Sequence, residues 1–503
     1  MDTKKRVVLN SIVLYVKIIV SMAITLISVP MLLKAMGASD FGLYNLIAGV
    51  VGMLNFLNNS LTVSSQRYMS VAMGSGDYSR INLVYNTSFF LHLLLGIAIV
   101  LLLEIGVFFI DRLNIEPDRV WCAEIIYQFL IGTMFLRIAS VPYDAIINAH
   151  EDMIAFALIE LLDSLLLLIV AISIKFILYD KLIYYGFSVL MVALINIVLK
   201  GVWCRQKYGQ FRIHLIENRN NFLTKEMSGF AGWNMFGGLA VVGRNQGVAV
   251  IINLFLGTIA NAAYGIANQI NGALSSFSGT FQRAINPQLM KSEGMNDRSR
   301  LLRISNITAK YSVLALGFFA IPLIIVMPEV LQIWLKNDIP ANTMELSRCI
   351  LIMTIIYQYS QGIMSAIQAA GDIKRYQLTM GLVILLNLPL SYIVLSIGLP
   401  VYYVAVGFVV LECASLVARL IIAEDLIQMS KKVFLLSVVK PSVLILSVSL
   451  LFGLAARCCC TSVWSSVIIT SISTSLAFLI MVWNYDLSSD QRKAILEEIW
   501  KRR

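Results

Sequence analysis

Apolar runs of membrane-crossing length, separated by short polar breaks, dominate the pattern of the chain. Fourteen such segments lie near 8–33, 42–66, 81–110, 120–147, 153–178, 181–204, 229–256, 259–282, 304–327, 341–370, 375–397, 401–424, 433–456 and 461–484. A hydrocarbon core about 30 Å thick takes roughly 20 helical residues, and only a helix satisfies its own backbone there. The pattern therefore predicts an all-α integral membrane protein of fourteen transmembrane helices. Composition agrees: 58% of the 503 residues are hydrophobic, 14% are charged, and the mean hydropathy is +0.80. Lys4, Lys5 and Arg6 precede the first run, which contains Lys17 and lacks a small-residue cleavage pattern, so it reads as a retained span rather than a signal peptide.

Net charge of +10 raises the question of a nucleic-acid partner, and the placement of the cations answers it. With the N-terminus in the cytoplasm, inside segments hold 24 Lys and Arg, against seven outside: Lys34, Arg112, Arg119, Lys181, Lys336, Arg348 and Arg457. The asymmetry follows the positive-inside rule, puts both termini in the cytoplasm and needs no nucleic acid.

A shift of 220 residues lays the first half on the second. Gly37 of MGASDFGLY falls on Gly257 of LGTIANAAY, Ser79-Arg80 on Ser299-Arg300, Asn86 on Asn306, and INAHED (147–152) on IQAAGD (367–372), while Gln66-Arg67 meets Gln282-Arg283 at 216. Each half holds six spans, an even number, so the copies share one orientation and are expected to be related by an axis along the membrane normal. The predicted organisation is an N-terminal six-helix bundle (1–204), a basic cytoplasmic linker (205–228), a second bundle (229–424), two further helices (425–484) and a tail (485–503). DLSSDQRKAILEEIWKRR at the end reads as an amphipathic surface helix or an ordinary solvated end.

Polar residues inside the spans mark the candidate chemistry. Asn55, Asn58, Asn59, Thr62 and Gln66 form one stripe at helical spacing, and Asn268, Asn271, Ser275, Ser278 and Gln282 repeat it. Amides cannot face lipid unsatisfied, so the stripes face either neighbouring helices or water. Their recurrence at equivalent positions favours a shared polar cavity, to which Tyr357 and Gln361 of the tenth span also contribute. Arg137 and Asp163 reach similar depth in adjacent spans, which favours a structural ion pair over a ligand contact for Arg137.

Arg244, beside Asn245, which lies eleven residues past Asn234, is near midplane, where a charge costs about 2.5–3.5 kcal/mol. Two readings compete there: a guanidinium offered to an anion, or an ion pair with mid-span Glu412. Arg67, Arg283 and Lys17 add cations at the inner ends.

Several classes are excluded or disfavoured. There is no G-x-x-x-x-G-K-[ST] loop for ATP. His92, His150 and His214 lie on separate segments, and Cys458-Cys459-Cys460 suits neither a disulfide nor C-x-x-C metal spacing, so neither enzyme, cofactor nor metal is expected. Short outside connections argue against a membrane glycosyltransferase or polymerase.

PMLLKAMGASDFGLYNL, GRNQGVAVIINLFLG, NAAYGIANQINGALSSF and NPQLMKS (286–292) together resemble the Wzx-type polysaccharide flippases of the multidrug/oligosaccharidyl-lipid/polysaccharide (MOP) superfamily, which also holds MATE-type drug exporters. The resemblance implies two six-helix bundles in a pseudo-twofold V with two further helices, and alternating access of an undecaprenyl-pyrophosphate-linked oligosaccharide across the bacterial cytoplasmic membrane for surface polysaccharide. It implies membrane lipids, H+ or Na+ and polysaccharide polymerase machinery as partners. It gives anionic-headgroup binding to Arg244, Arg67, Arg283 and Lys17, with Arg137 a further candidate, and leaves Glu412 and Asp163 as candidate ion-coupling carboxylates. The alternative is a cation-coupled multidrug exporter, which favours acidic rather than neutral and cationic cavity residues.

Overall fold

In a computed structural model, residues 3–52, 54–108, 110, 115–209, 221–336, 339–487 and 492 are described. The middle of the linker (210–220) and nearly all of the predicted surface helix at the C-terminus lie outside these residues. Among the described residues there is no strand. The helices are α1 (Thr3–Met36), α2 (Ala38–Gly52), α3 (Asn55–Ser75), α4 (Tyr78–Val107), α5 (Val120–Ala149), α6 (Met153–Ser173), α7 (Lys181–Lys207), α8 (Asn221–Gly294), α9 (Arg298–Ile325), α10 (Met327–Leu335), α11 (Thr343–Ala370), α12 (Lys374–Leu385), α13 (Asn387–Ser396), α14 (Tyr402–Ile427), α15 (Lys431–Phe434), α16 (Lys440–Cys458) and α17 (Val463–Met481).

Twelve of these helical stretches among the described residues are long and apolar enough to cross a membrane. They differ from the fourteen expected segments at two places. The seventh and eighth segments are the two arms of α8, joined at Gly257, whose φ of 76° and ψ of −171° interrupt the helix. Its left-handed φ is open to glycine at no steric cost. The second segment is divided between α2 and α3, with the polar stripe occupying α3, so neither piece qualifies.

The backbone records the repeat more clearly than the side chains do. Left-handed φ occurs in the first half at Gly37 (86°), Gly76 (72°) and Glu151 (60°), and 220 residues later at Gly257 (76°), Asn296 (55°) and Gly371 (100°). Each pair ends equivalent helices, since a helix stops where a residue turns left-handed.

The chain divides into two compact units: residues 1–239 with 284–297, and residues 240–283 with 298–503. In unit 1, α5 is central, packed by α3, α4 and α7, with α1 against α6. Ile126, Ile131, Ile138 and Leu182 belong to its apolar core. Arg119 ties Asp40 to Asp180, which caps α7 through the backbone N–H groups of Leu182 and Ile183. In unit 2, α11 packs on α9 and α14, and α16 and α17 pair with each other against α9.

Glycine makes that last packing close: a Cβ at Gly453 would overlap the Thr474 methyl of α17 and Ile325 of α9. Gly453→Val is accordingly expected to lower the thermal midpoint of the purified protein by an amount equivalent to about 1–3 kcal/mol. Gly272→Ala, at a position with nothing within 4 Å, should leave the midpoint unchanged or raise it. Equal midpoints for the Gly453→Val variant and the parent would refute the close-packed arrangement of α9, α16 and α17.

Candidate functional site

Charged and amide side chains inside the spans fall into two groups, those bonded within a bundle and those presented to solvent. Unit 1 holds a network across four helices. Lys200 on α7, 3% exposed, pairs with Asp144 of α5 at 2.8 Å and with Glu160 of α6 at 3.2 Å, and Lys17 of α1 lies 3.6 Å from the same Glu160. Asn196 donates to Asp163 at 3.4 Å. Arg137 corrects the expected pairing: its side chain is exposed, lies within electrostatic reach of Asp163, and forms no ion pair with it within 4 Å among the described residues. Glu160 and Lys200, which the depth argument had not considered, satisfy the neighbouring charges instead. Matching mid-span charges on α5, α6 and α7 by depth would have found them.

Unit 2 holds the second network. Arg419 of α14, 3% exposed, pairs with Glu412 two turns earlier on its own helix and donates to Ser360 of α11 at 2.8 Å. Its guanidinium carbon lies 5.5 Å from the Tyr357 ring centre. The pairing of Glu412 with Arg244 considered from sequence is therefore replaced by a pair with Arg419, at i and i+7. Seven residues is two helical turns, so the spacing alone puts both side chains on one face of the helix.

Arg244 itself remains available. It is half-buried, 5.9 Å from the centre of the Phe408 ring, and donates only to its neighbour Asn245, at 2.9 and 3.1 Å. Asn245 and Gln246 are exposed. Arg244 also lies within electrostatic reach of Tyr357.

The amide stripes are split in role. In the second, Asn271 accepts from Thr354 of α11 at 2.6 Å and from Ser275 at 3.3 Å, Ser278 donates to Gln358 of α11, and Asn268 donates to the Tyr264 carbonyl at 2.9 Å. Asn271 and Ser278 thus bind helix to helix inside unit 2. In the first stripe Asn59 is exposed, Asn58 and Thr62 are half-buried, and Gln66 is buried; the side chain of Asn55 lies outside the described residues. The Nε2 atoms of the equivalent Gln66 and Gln282 are both buried without a hydrogen-bond partner among the described residues, as is Oε1 of Gln361. Arg67 is 7% exposed and packs over Tyr68 and Phe230, whereas Arg283 is exposed.

Outside the spans, the INAHED connection ties two helices. Asp152 accepts from Lys207 (2.6 Å), Tyr208 (2.9 Å) and Trp203 (3.1 Å) of the α7 end. Burial alone raises its carboxyl, and these donors outweigh burial to hold it below the usual range. Among the described residues no cluster of three metal-binding side chains occurs.

The family described as polysaccharide biosynthesis protein matches residues 7–293. No curated protein matches the chain. Solved structures with a similar fold include a MOP superfamily transporter from Pyrococcus furiosus, 13% identical, covering 85% of this chain and 96% of that one at a TM-score of 0.74. An outward-facing MATE family transporter is 13% identical over the same shares, at 0.75. A MATE protein in a bent conformation is 14% identical, covering 86% and 97%, at 0.76. The chain is a multi-pass membrane protein with the MOP transporter fold, and it belongs to the polysaccharide biosynthesis protein family.

Proposed function

We propose that this protein is a flippase that carries an undecaprenyl-pyrophosphate-linked oligosaccharide from the inner to the outer leaflet of a bacterial cytoplasmic membrane by alternating access. The observation that carries the reading is the set Arg244, Asn245 and Gln246: one half-buried and two exposed polar side chains at the middle of an apolar arm of α8. Polar groups at that depth are intolerable in hydrocarbon, so they face water. A water-facing guanidinium at midplane suits a phosphate, and it binds two oxygens at once. In the same unit as Arg244, the exposed Arg283 adds a second cation.

The family description supports the polysaccharide class, and the neutral and cationic character of these residues favours an anionic lipid-linked substrate over a cationic drug. Because the polyprenyl tail remains in lipid, only the headgroup needs a hydrated route. Asp163 is the stronger candidate for ion coupling, since Glu412 is committed to Arg419.

In a strain lacking the chromosomal copy, Arg244→Ala is expected to abolish surface-polysaccharide assembly at normal protein abundance, and Arg244→Lys to retain part of it. Full assembly by the alanine variant would sink the anion role. Glu412→Gln strands a buried guanidinium, so the thermal midpoint should drop by the equivalent of about 3–5 kcal/mol. Asp163→Asn is expected instead to keep the midpoint and to remove the dependence of transport on an imposed proton or sodium gradient; an unaltered dependence eliminates Asp163 as the coupling group.

A further inference from the structure

Two motifs that the transport reading leaves unused, NPQLMKS (286–292) and INAHED (147–152), meet in unit 1. Residues 284–297 group with unit 1, although the helix that carries them is continuous with residues 240–283 of unit 2. Glu151, 4% exposed, accepts from Lys291 Nζ and, at 2.5 Å, from Gln288 Nε2. Its backbone carbonyl accepts from Asn10 of α1 at 3.2 Å. Beside this contact α8 and α3 touch backbone to backbone: a Cβ at Gly294 would overlap the Val71 carbonyl, and one at Gly74 would overlap the backbone of Lys291. Gly74 and Gly294 are 220 residues apart, so equivalent glycines of the two repeats face each other.

Glu151 departs from the repeat in an informative way. Its counterpart is Gly371, and both are left-handed, at φ 60° and 100°. A glutamate held in a backbone conformation that its repeat partner fills with glycine is retained against strain, and such residues persist where the surroundings over-determine them. What holds Glu151 is its carboxylate, bonded to Gln288 and Lys291. The contact combines charge-assisted hydrogen bonds with a glycine crossing. The same segment buries Ile285, Leu289 and Met290, so the charge-assisted bonds are the part of the contact that can be exchanged for water, while the apolar packing supplies the seat to which the segment returns.

We propose that Glu151, Gln288 and Lys291 form a releasable clasp that keeps the end of α8 docked on α3, and that its opening is a step of the transport cycle. The proposal rests on the transporter reading for the word cycle, but the clasp itself is measurable without substrate.

Ser292, fully buried in the docked segment, reports its state. In purified protein in nanodiscs, Ser292→Cys would be labelled with a water-soluble maleimide and the modification of residue 292 followed by peptide mass spectrometry. Ser312→Cys, equally buried on α9 in unit 2, serves as the control. Glu151→Gly removes the carboxylate and relieves the left-handed backbone, so the fold is kept; Lys291→Met removes the donor. Each is expected to speed labelling at 292 about tenfold and to leave residue 312 unchanged. Unchanged labelling at 292, or equal acceleration at 292 and 312, overturns the clasp. Failure of the Arg244 assembly test, by contrast, would leave these labelling rates untouched, so the two readings fall separately.

Discussion

Everything in this protein depends on the cost of leaving a polar group unsatisfied inside hydrocarbon. That cost makes every span a helix, and it sorts the charges within the spans into two kinds. Lys200 and Arg419 are buried, and both are held by carboxylates. They occupy nearly equivalent places, since Lys200 is on the sixth helix of the first repeat and Arg419, one residue off the 220 shift, on the sixth of the second. Arg244, Asn245 and Gln246 are of the other kind, half-buried or exposed and, among the described residues, bonded at most to one another. A buried paired charge holds helices in register, whereas a wet unpaired one can meet a ligand.

The network in each unit links elements that apolar packing alone leaves free to slide. Lys17, Glu160, Lys200 and Asp144 join α1, α6, α7 and α5. Arg419 joins α14 to α11 through Ser360. Hydrophobic contact between a leucine-rich helix and its neighbour is nearly indifferent to small translations, and lipid offers no hydrophobic drive between spans. Directional bonds are what fix the register, and Asn271 with Thr354 adds one more.

Much of this was legible in the amino-acid pattern. Fourteen apolar segments and a 220-residue shift give the helices and their duplication, because helix length and bilayer thickness are tied and because Gly37 and Gly257 stand at equivalent turns. Arg244 was visible as a charge without a neighbour of opposite sign. Partners were harder to read. Glu412 could be assigned to Arg244 by depth alone, yet Arg419 lies two turns away on the same helix and takes it first. Arg137 and Asp163 match in depth, but depth says nothing of azimuth, and Arg137 is exposed rather than turned onto Asp163. Periodicity likewise located the second amide stripe without saying that Asn271 and Ser278 face α11. Long-range pairing between helices is set by rotation about each axis, which hydropathy does not encode.

The matched left-handed residues at 37 and 257, 76 and 296, and 151 and 371 bear on how the two halves arose. Side chains along the spans can be exchanged one apolar group for another at little cost, so ancestry written in them fades. A residue that must turn the chain the unfavourable way has few substitutes, and glycine stands at four of these six positions, with asparagine and glutamate at the other two. The turns are thus the fossil record of the duplication, and a search for ancient doubling in other membrane chains could start from backbone handedness rather than from residue identity.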